Sequence, residues 1–145
     1  FFNNKSLNLI DWLRPYSKEP AESYLRGFLG RMLFSGDQAL KEVKHLSGGE
    51  RMRCMYSKLM LSQANTLLID APTNHLDLES IQAVNKGFEE YKGAMVIASH
   101  DHTLLQSVCN KIVEIGSQGA LMYEGKLDEY LTIEELKSKR LSLNQ

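Results

Sequence analysis

The chain opens with a short apolar patch, Asn8 to Leu13, that stops ahead of Pro15. After Pro20, Tyr24, Leu25, Phe28, Leu29, Met32 and Leu33 recur at helical spacing and predict a longer helix. The polar stretch Ser35 to Gln38 ends it. From residue 47 the pattern changes. Short apolar runs at 66–70, 94–98, 111–115 and 120–123 read as strands, and amphipathic stretches at about 48–62, 79–91 and 101–109 read as helices. Alternating helix and strand argue for an α/β fold whose parallel sheet is closed by crossover helices. A charged stretch from 132 to 145 reads as a tail helix. The chain therefore divides into 1–46, mainly helical, 47–131, α/β, and 132–145.

Composition narrows the class. With 145 residues and 43% hydrophobic content the chain can bury a core, and a formal net charge of −1 gives no global field for nucleic acid. Cys54 and Cys109 form no metal or disulfide pattern and read as reduced thiols. No apolar run reaches membrane-spanning length and no secretory leader is visible. The first residue, Phe1, is not methionine, so a piece of a longer protein is expected.

Two segments carry chemistry. In Leu46-Ser47-Gly48-Gly49-Glu50, Ser47 and Glu50 have the spacing of a capping box, and the two glycines let a phosphate approach the positive end of the helix that follows. In Thr66-Leu67-Leu68-Ile69-Asp70 an apolar run ends on a carboxylate, which a parallel strand delivers to the carboxyl edge of its sheet, where ligands bind. Taken alone, the first segment is a capped helix and the second a turn aspartate. Ser99-His100-Asp101 follows the run Ala94 to Ala98. It is no hydrolase triad, because successive side chains along a strand point apart.

Together these motifs resemble the C-terminal portion of an ATP-binding cassette (ABC) domain of the ABC-F family, a partial P-loop NTPase-type fold. Leu46 to Glu50 is similar to the family's signature motif, Thr66 to Asp70 to its Walker B strand, Asn74-His75-Leu76-Asp77 to its D-loop and Ser99 to Asp101 to its switch-histidine segment. The resemblance covers roughly residues 1–131, with 1–46 as the helical subdomain and 47–131 as part of the ATPase core. It implies that Ser47, Gly48, Gly49 and Glu50 serve an ATP bound by an opposing second cassette. It further implies that Asp70 handles Mg²⁺, through water, and that His100 is the switch histidine. The D-loop, Asn74 to Asp77, would face the partner cassette.

Two departures matter. At the position of the general-base glutamate the chain has Ala71, which cannot take a proton; such a loss is worth about 10² to 10⁴-fold. A natural degenerate cassette and a deliberate substitution that traps the ATP-bound state both fit that alanine. In addition, no Gly-x-x-x-x-Gly-Lys-Ser/Thr run occurs, so the phosphate cradle and its lysine are missing. A sheet short of the strand leading into that loop is expected to keep an open edge. The expectation is an inactive segment of a cytoplasmic ABC-F ATPase. Its parent would bind and slowly hydrolyse Mg²⁺-ATP between two cassettes and act on the ribosome through parts absent here.

The alternatives are the ATP-binding subunit of a membrane transporter and a non-catalytic module that binds another cassette. Met52, Met55, Tyr56, Leu59 and Met60 read as core, and Arg51, Arg53 and Lys58 as a solvated face. His45 and His102 receive no role. In the tail, Glu134 and Glu135 dilute the case that Lys137, Lys139 and Arg140 touch RNA or lipid.

Overall fold

The computed structural model describes residues 6–62 and 64–143. They form two compact units, one running to Ala98 and one beginning at Ser99.

In the first unit, helix α1 (Leu9–Leu13) is capped by Asn8, whose side chain accepts from the Asp11 N–H. Pro15 does not end the turn abruptly. It lies in a 3-10 segment, Arg14–Tyr16, where its fixed φ is tolerated. Helix α2 (Glu22–Arg31) buries Leu25 and Leu29, and just beyond its cap Leu33, with a φ of 63°, lets the chain turn and insert Phe34 into the core. Two 3-10 turns, Gly36–Leu40 and Val43–His45, lead to helix α3 (Gly48–Leu61). Strand β1 (Thr66–Asp70), helix α4 (Leu78–Glu90) and strand β2 (Ala94–Ala98) complete a right-sized crossover, and β1 and β2 pair in parallel from Thr66↔Ala94 to Asp70↔Ala98.

Only one face of β1 is covered. Leu67 and Ile69 are buried, whereas Leu68 is 79% and, on β2, Val96 61% exposed. The sheet has just these two strands among the described residues, so the expected open edge is present.

The second unit holds helix α5 (His102–Val108), strands β3 (Lys111–Gly116) and β4 (Gly119–Glu124), and helices α6 (Leu127–Thr132) and α7 (Glu134–Leu143). Here the expected parallel, crossover pattern gives way to an antiparallel hairpin. Only Ser117 and Gln118 separate the strands, and a parallel return needs a dozen or more residues. Ile112, Leu127 and Tyr130 form its core, with Leu105, Cys109, Tyr123, Leu131 and Leu136 packed around them. The tail is not a solvated charged helix throughout. Arg140 Nε donates to Glu114 Oε2 at 2.8 Å, the Tyr130 hydroxyl donates to the same oxygen at 2.8 Å, and the guanidinium lies 5.0 Å from the Tyr130 ring centre.

Candidate functional site

The start of α3 is the best-defined polar feature of the first unit. Ser47 is extended, its Oγ accepts from the Glu50 N–H at 3.3 Å, and Glu50 Oε2 accepts from the Ser47 N–H at 2.7 Å. Both halves of the capping box are therefore made. Lys41 Nζ stands 3.0 Å from each Glu50 oxygen. Desolvation raises the Glu50 pKa, but the bonds from Ser47 and Lys41 outweigh it and hold the carboxyl below its ordinary value. Ser47 and Gly48 remain exposed, and no atom lies within 4 Å of where a Gly48 Cβ would be. Free amides at the positive end of a 14-residue helix thus face open space.

That helix is fixed from behind by two cations expected to be solvated. Arg53 Nη1 donates to the Met32 and Leu33 carbonyls at 2.6 and 3.1 Å, and its guanidinium covers the Phe34 ring at 4.7 Å. A cation there meets the negative end of α2. Lys58 Nζ lies 4.0 Å from the Tyr16 ring centre and 5.4 Å from that of Trp12. The signal was available: residues 53, 56, 57 and 60 share one helical face, and Tyr56, Ser57 and Met60 on it are buried. Only Arg51 of the three cations is exposed. Met52, Met55 and Leu59, expected in the core, are half-buried at its margin.

Asp70 closes β1 with its side chain exposed, and the ladder extends one bond further, from the Ala71 N–H to the Ala98 carbonyl at 2.8 Å. Ala71 then takes a φ of 44° and His75 one of 64°, so the turn after the strand bends through two left-handed residues that are not glycine. Asn74 and His75 are exposed at its tip. Asp77 is committed locally: it caps α4, its Oδ1 accepting from the Ser80 N–H at 2.8 Å and Oδ2 from the Ser80 hydroxyl at 3.1 Å. Those two bonds lower its pKa.

The turn and the start of α3 are neighbours. A Cβ on Gly49 would sit 3.8 Å from Leu76 Cδ2, and the Tyr56 hydroxyl donates to the Pro72 carbonyl at 3.3 Å. Ser47 to Glu50 and Asn74 to Asp77 thus share one corner of the first unit. In the second unit, His100 is exposed just ahead of α5. Asp101 caps that helix by accepting from the Leu104 N–H at 3.0 Å, while its own N–H donates to Ser99 Oγ at 3.0 Å. Both neighbours of His100 are thus used to start the helix, not to build a triad. His102 pairs with Asp128 at 2.8 Å.

No cluster of three or more metal-ligating side chains occurs among the described residues. Asp70, a lone exposed carboxylate, suits a cation whose other ligands are water and phosphate oxygens, the usual state of Mg²⁺ on a nucleotide.

Among known proteins, the ABC transporter ATP-binding protein YkpA of Bacillus subtilis is 51% identical over 144 residues, covering 99% of this chain and 27% of that protein. YheS of Escherichia coli K12, a probable ATP-binding protein, is 35% identical over 83% of the chain, and ATP-binding cassette sub-family F member 3 of Pongo abelii 32% over 88%. The chain belongs to the ABC-F family of ATP-binding cassette proteins. No protein-family model matches it. Solved structures show the same fold: an ATP-binding subunit of an ABC transporter at TM-score 0.67 and 21% identity, covering 99% of this chain and 60% of its own, and an RNase-L Inhibitor at 0.64 and 22%, covering 94% and 28%. This ABC-F chain spans 27% of the Bacillus protein and 19% and 18% of the other two relatives, so it corresponds to one part of each.

Proposed function

We propose that this chain supplies the signature side of an ATP site shared between two cassettes. Ser47, Gly48 and Gly49 contact the terminal phosphate of a nucleotide whose P-loop belongs to the opposing cassette, with Glu50 holding the Ser47 backbone in place. The observation that carries this reading is the completed capping box with open space in front of Ser47 and Gly48. Ser47 Oγ accepts within the box, so its hydroxyl proton is free to be donated to a phosphate oxygen. The turn Asn74 to Asp77, beside Gly49, lies on the same partner-facing corner. Asp70 serves Mg²⁺ through water, and His100 is a hydrogen-bond donor to phosphate. Mg²⁺-ATP, when bound, supplies the bond to be hydrolysed and the charge that draws the cassettes together.

Ala71 has no group to polarise water, so no hydrolysis is expected from this chain. Within a complete protein, slow turnover would time engagement with the ribosome in the cytoplasm, a reading that rests on the resemblance of the motifs to the ABC-F family alone. The Bacillus relative is an ABC transporter ATP-binding protein, which favours a second reading, a transporter's ATP-binding subunit. Co-sedimentation with ribosomes rather than membranes separates the two.

The test is a chimera in which this chain replaces the matched 144-residue segment of the Bacillus protein. It is expected to bind ATP and turn it over about 10² to 10⁴-fold faster once Ala71→Glu is introduced. An Ala71→Glu chimera as inactive as its Ala71 form would contradict the reading and favour a module that only binds another cassette.

A further inference from the structure

Glu50 sets an electrostatic problem for the phosphate-facing corner. A helix start carries roughly half an elementary positive charge, and a carboxylate and a phosphate compete for it. Glu50 stands in the first turn of α3, its Oε2 2.7 Å from the Ser47 nitrogen, beside the exposed Ser47 and Gly48. Its side chain is only 18% exposed, so water and salt screen the charge poorly. Left alone, this carboxylate would weaken the positive end of the helix and repel an incoming anion.

Lys41 answers it. Its Nζ lies 3.0 Å from both Glu50 oxygens, in a part-buried contact that brings a full positive charge to the carboxylate. The lysine is placed by a different element. It closes the 3-10 turn Gly36–Leu40, its N–H donating to the Gln38 carbonyl at 3.1 Å, and its own carbonyl accepts from the Leu9 N–H at 3.2 Å. The backbone of Lys41 is thus pinned to α1 while its side chain reaches the start of α3. The neighbouring cations are placed otherwise. Lys44 pairs with Glu42, and His45 is exposed ahead of Ser47. Arg51, also exposed, follows Glu50 in a helix whose successive side chains project about 100° apart.

We propose that Lys41 is a positioning residue for this corner: it neutralises Glu50, so that the carboxylate holds the Ser47 backbone without repelling the nucleotide. The proposal rests on the reading of the corner as the signature side of an ATP site. The test uses the Ala71→Glu form of the chimera at low ionic strength. Lys41→Met keeps the stem and loses the charge. It should raise the ATP concentration for half-maximal turnover about tenfold and leave kcat within about twofold. Lys41→Arg should stay close to the parent. Lys41→Met with Glu50→Gln removes both charges and still offers the Ser47 N–H an amide oxygen, so it should recover most of the loss. A lysine that only packs could not be replaced by deleting a second charge. In the chain by itself, the Ser47 amide proton shift follows the ionisation of Glu50. Lys41→Met should move its midpoint to higher pH, since burial, which raises the Glu50 pKa, is then opposed by the Ser47 bonds alone. A midpoint that stays in place, an active chimera indifferent to Lys41→Met, or a loss that Glu50→Gln does not recover would overturn the proposal. A chimera with no turnover in any form would overturn the reading of the site and this proposal with it.

Discussion

At the scale of single residues, two contacts decide how firmly the start of α3 is presented. Ser47→Ala removes one half of the capping box and is expected to cost about 1 kcal/mol, read as a lower midpoint in urea with an unchanged slope. The Glu50 half is pH-dependent. Its folded pKa lies below the ordinary 4.5, so its contribution is complete above that value and is lost as the pH falls through and below it. Glu50→Gln should flatten the acid limb of the stability curve. Behind the helix, Arg53→Ala leaves the Met32 and Leu33 carbonyls without their donor and uncovers Phe34; about 2 kcal/mol of destabilisation follows, and Arg53→Lys should recover little of it, since a lysine cannot reproduce the flat guanidinium over the ring. The sequence made Ser47, Glu50 and Asp70 visible because each sits at a boundary between an apolar run and a polar turn. It hid Arg53 and Lys58, since charge suggests solvent and only the position of a residue on its helix shows otherwise.

At the scale of elements, apolar periodicity located every strand and the three principal helices of the α/β region to within a residue or two, because each is bounded by residues that cap or break. Asp77 and Asp101 start α4 and α5, and Tyr91-Lys92-Gly93 separates α4 from β2. Pairing direction was not legible in the same way. Alternation implied crossovers throughout, but the two-residue link between β3 and β4 forces a hairpin. The tail helix is legible, but what holds it is not: α7 is anchored by a charge, Arg140, against Glu114 and Tyr130, a partnership across 26 residues that no local pattern reveals. Arg140→Ala should speed amide exchange across Glu134–Leu143 while leaving β3 and β4 protected. Burial, followed by the Glu114 hydrogen bond, pushes the Tyr130 phenol up to about 12 from 10. Its contribution is therefore full below pH 10 and disappears as the pH rises toward 12, so alkaline unfolding of the second unit should move to higher pH in Tyr130→Phe.

At the scale of the whole molecule, the first unit joins the helical segment before residue 47 to β1, α4 and β2 around one core, so the candidate phosphate-facing corner is built by elements from both sides of the signature motif. Its sheet remains open. Leu68 and Val96 present an apolar face on a two-stranded sheet with unpaired edges, and such surfaces lower solubility. Leu68→Lys should raise the concentration at which the chain stays monodisperse in sedimentation, without changing its circular dichroism. The four motifs follow one another in order along the sequence, and no Gly-x-x-x-x-Gly-Lys-Ser/Thr run accompanies them.

The central claim is that the chain offers a phosphate-facing corner to a nucleotide held elsewhere and does not hold Mg²⁺-ATP by itself. Calorimetric titration of the folded chain with Mg²⁺-ATP tests it most directly. No measurable heat of binding is expected up to millimolar nucleotide. One-to-one binding in the micromolar range, removed by Asp70→Ala or Ser47→Ala, would mean that these residues build a complete site without a P-loop, and would contradict it.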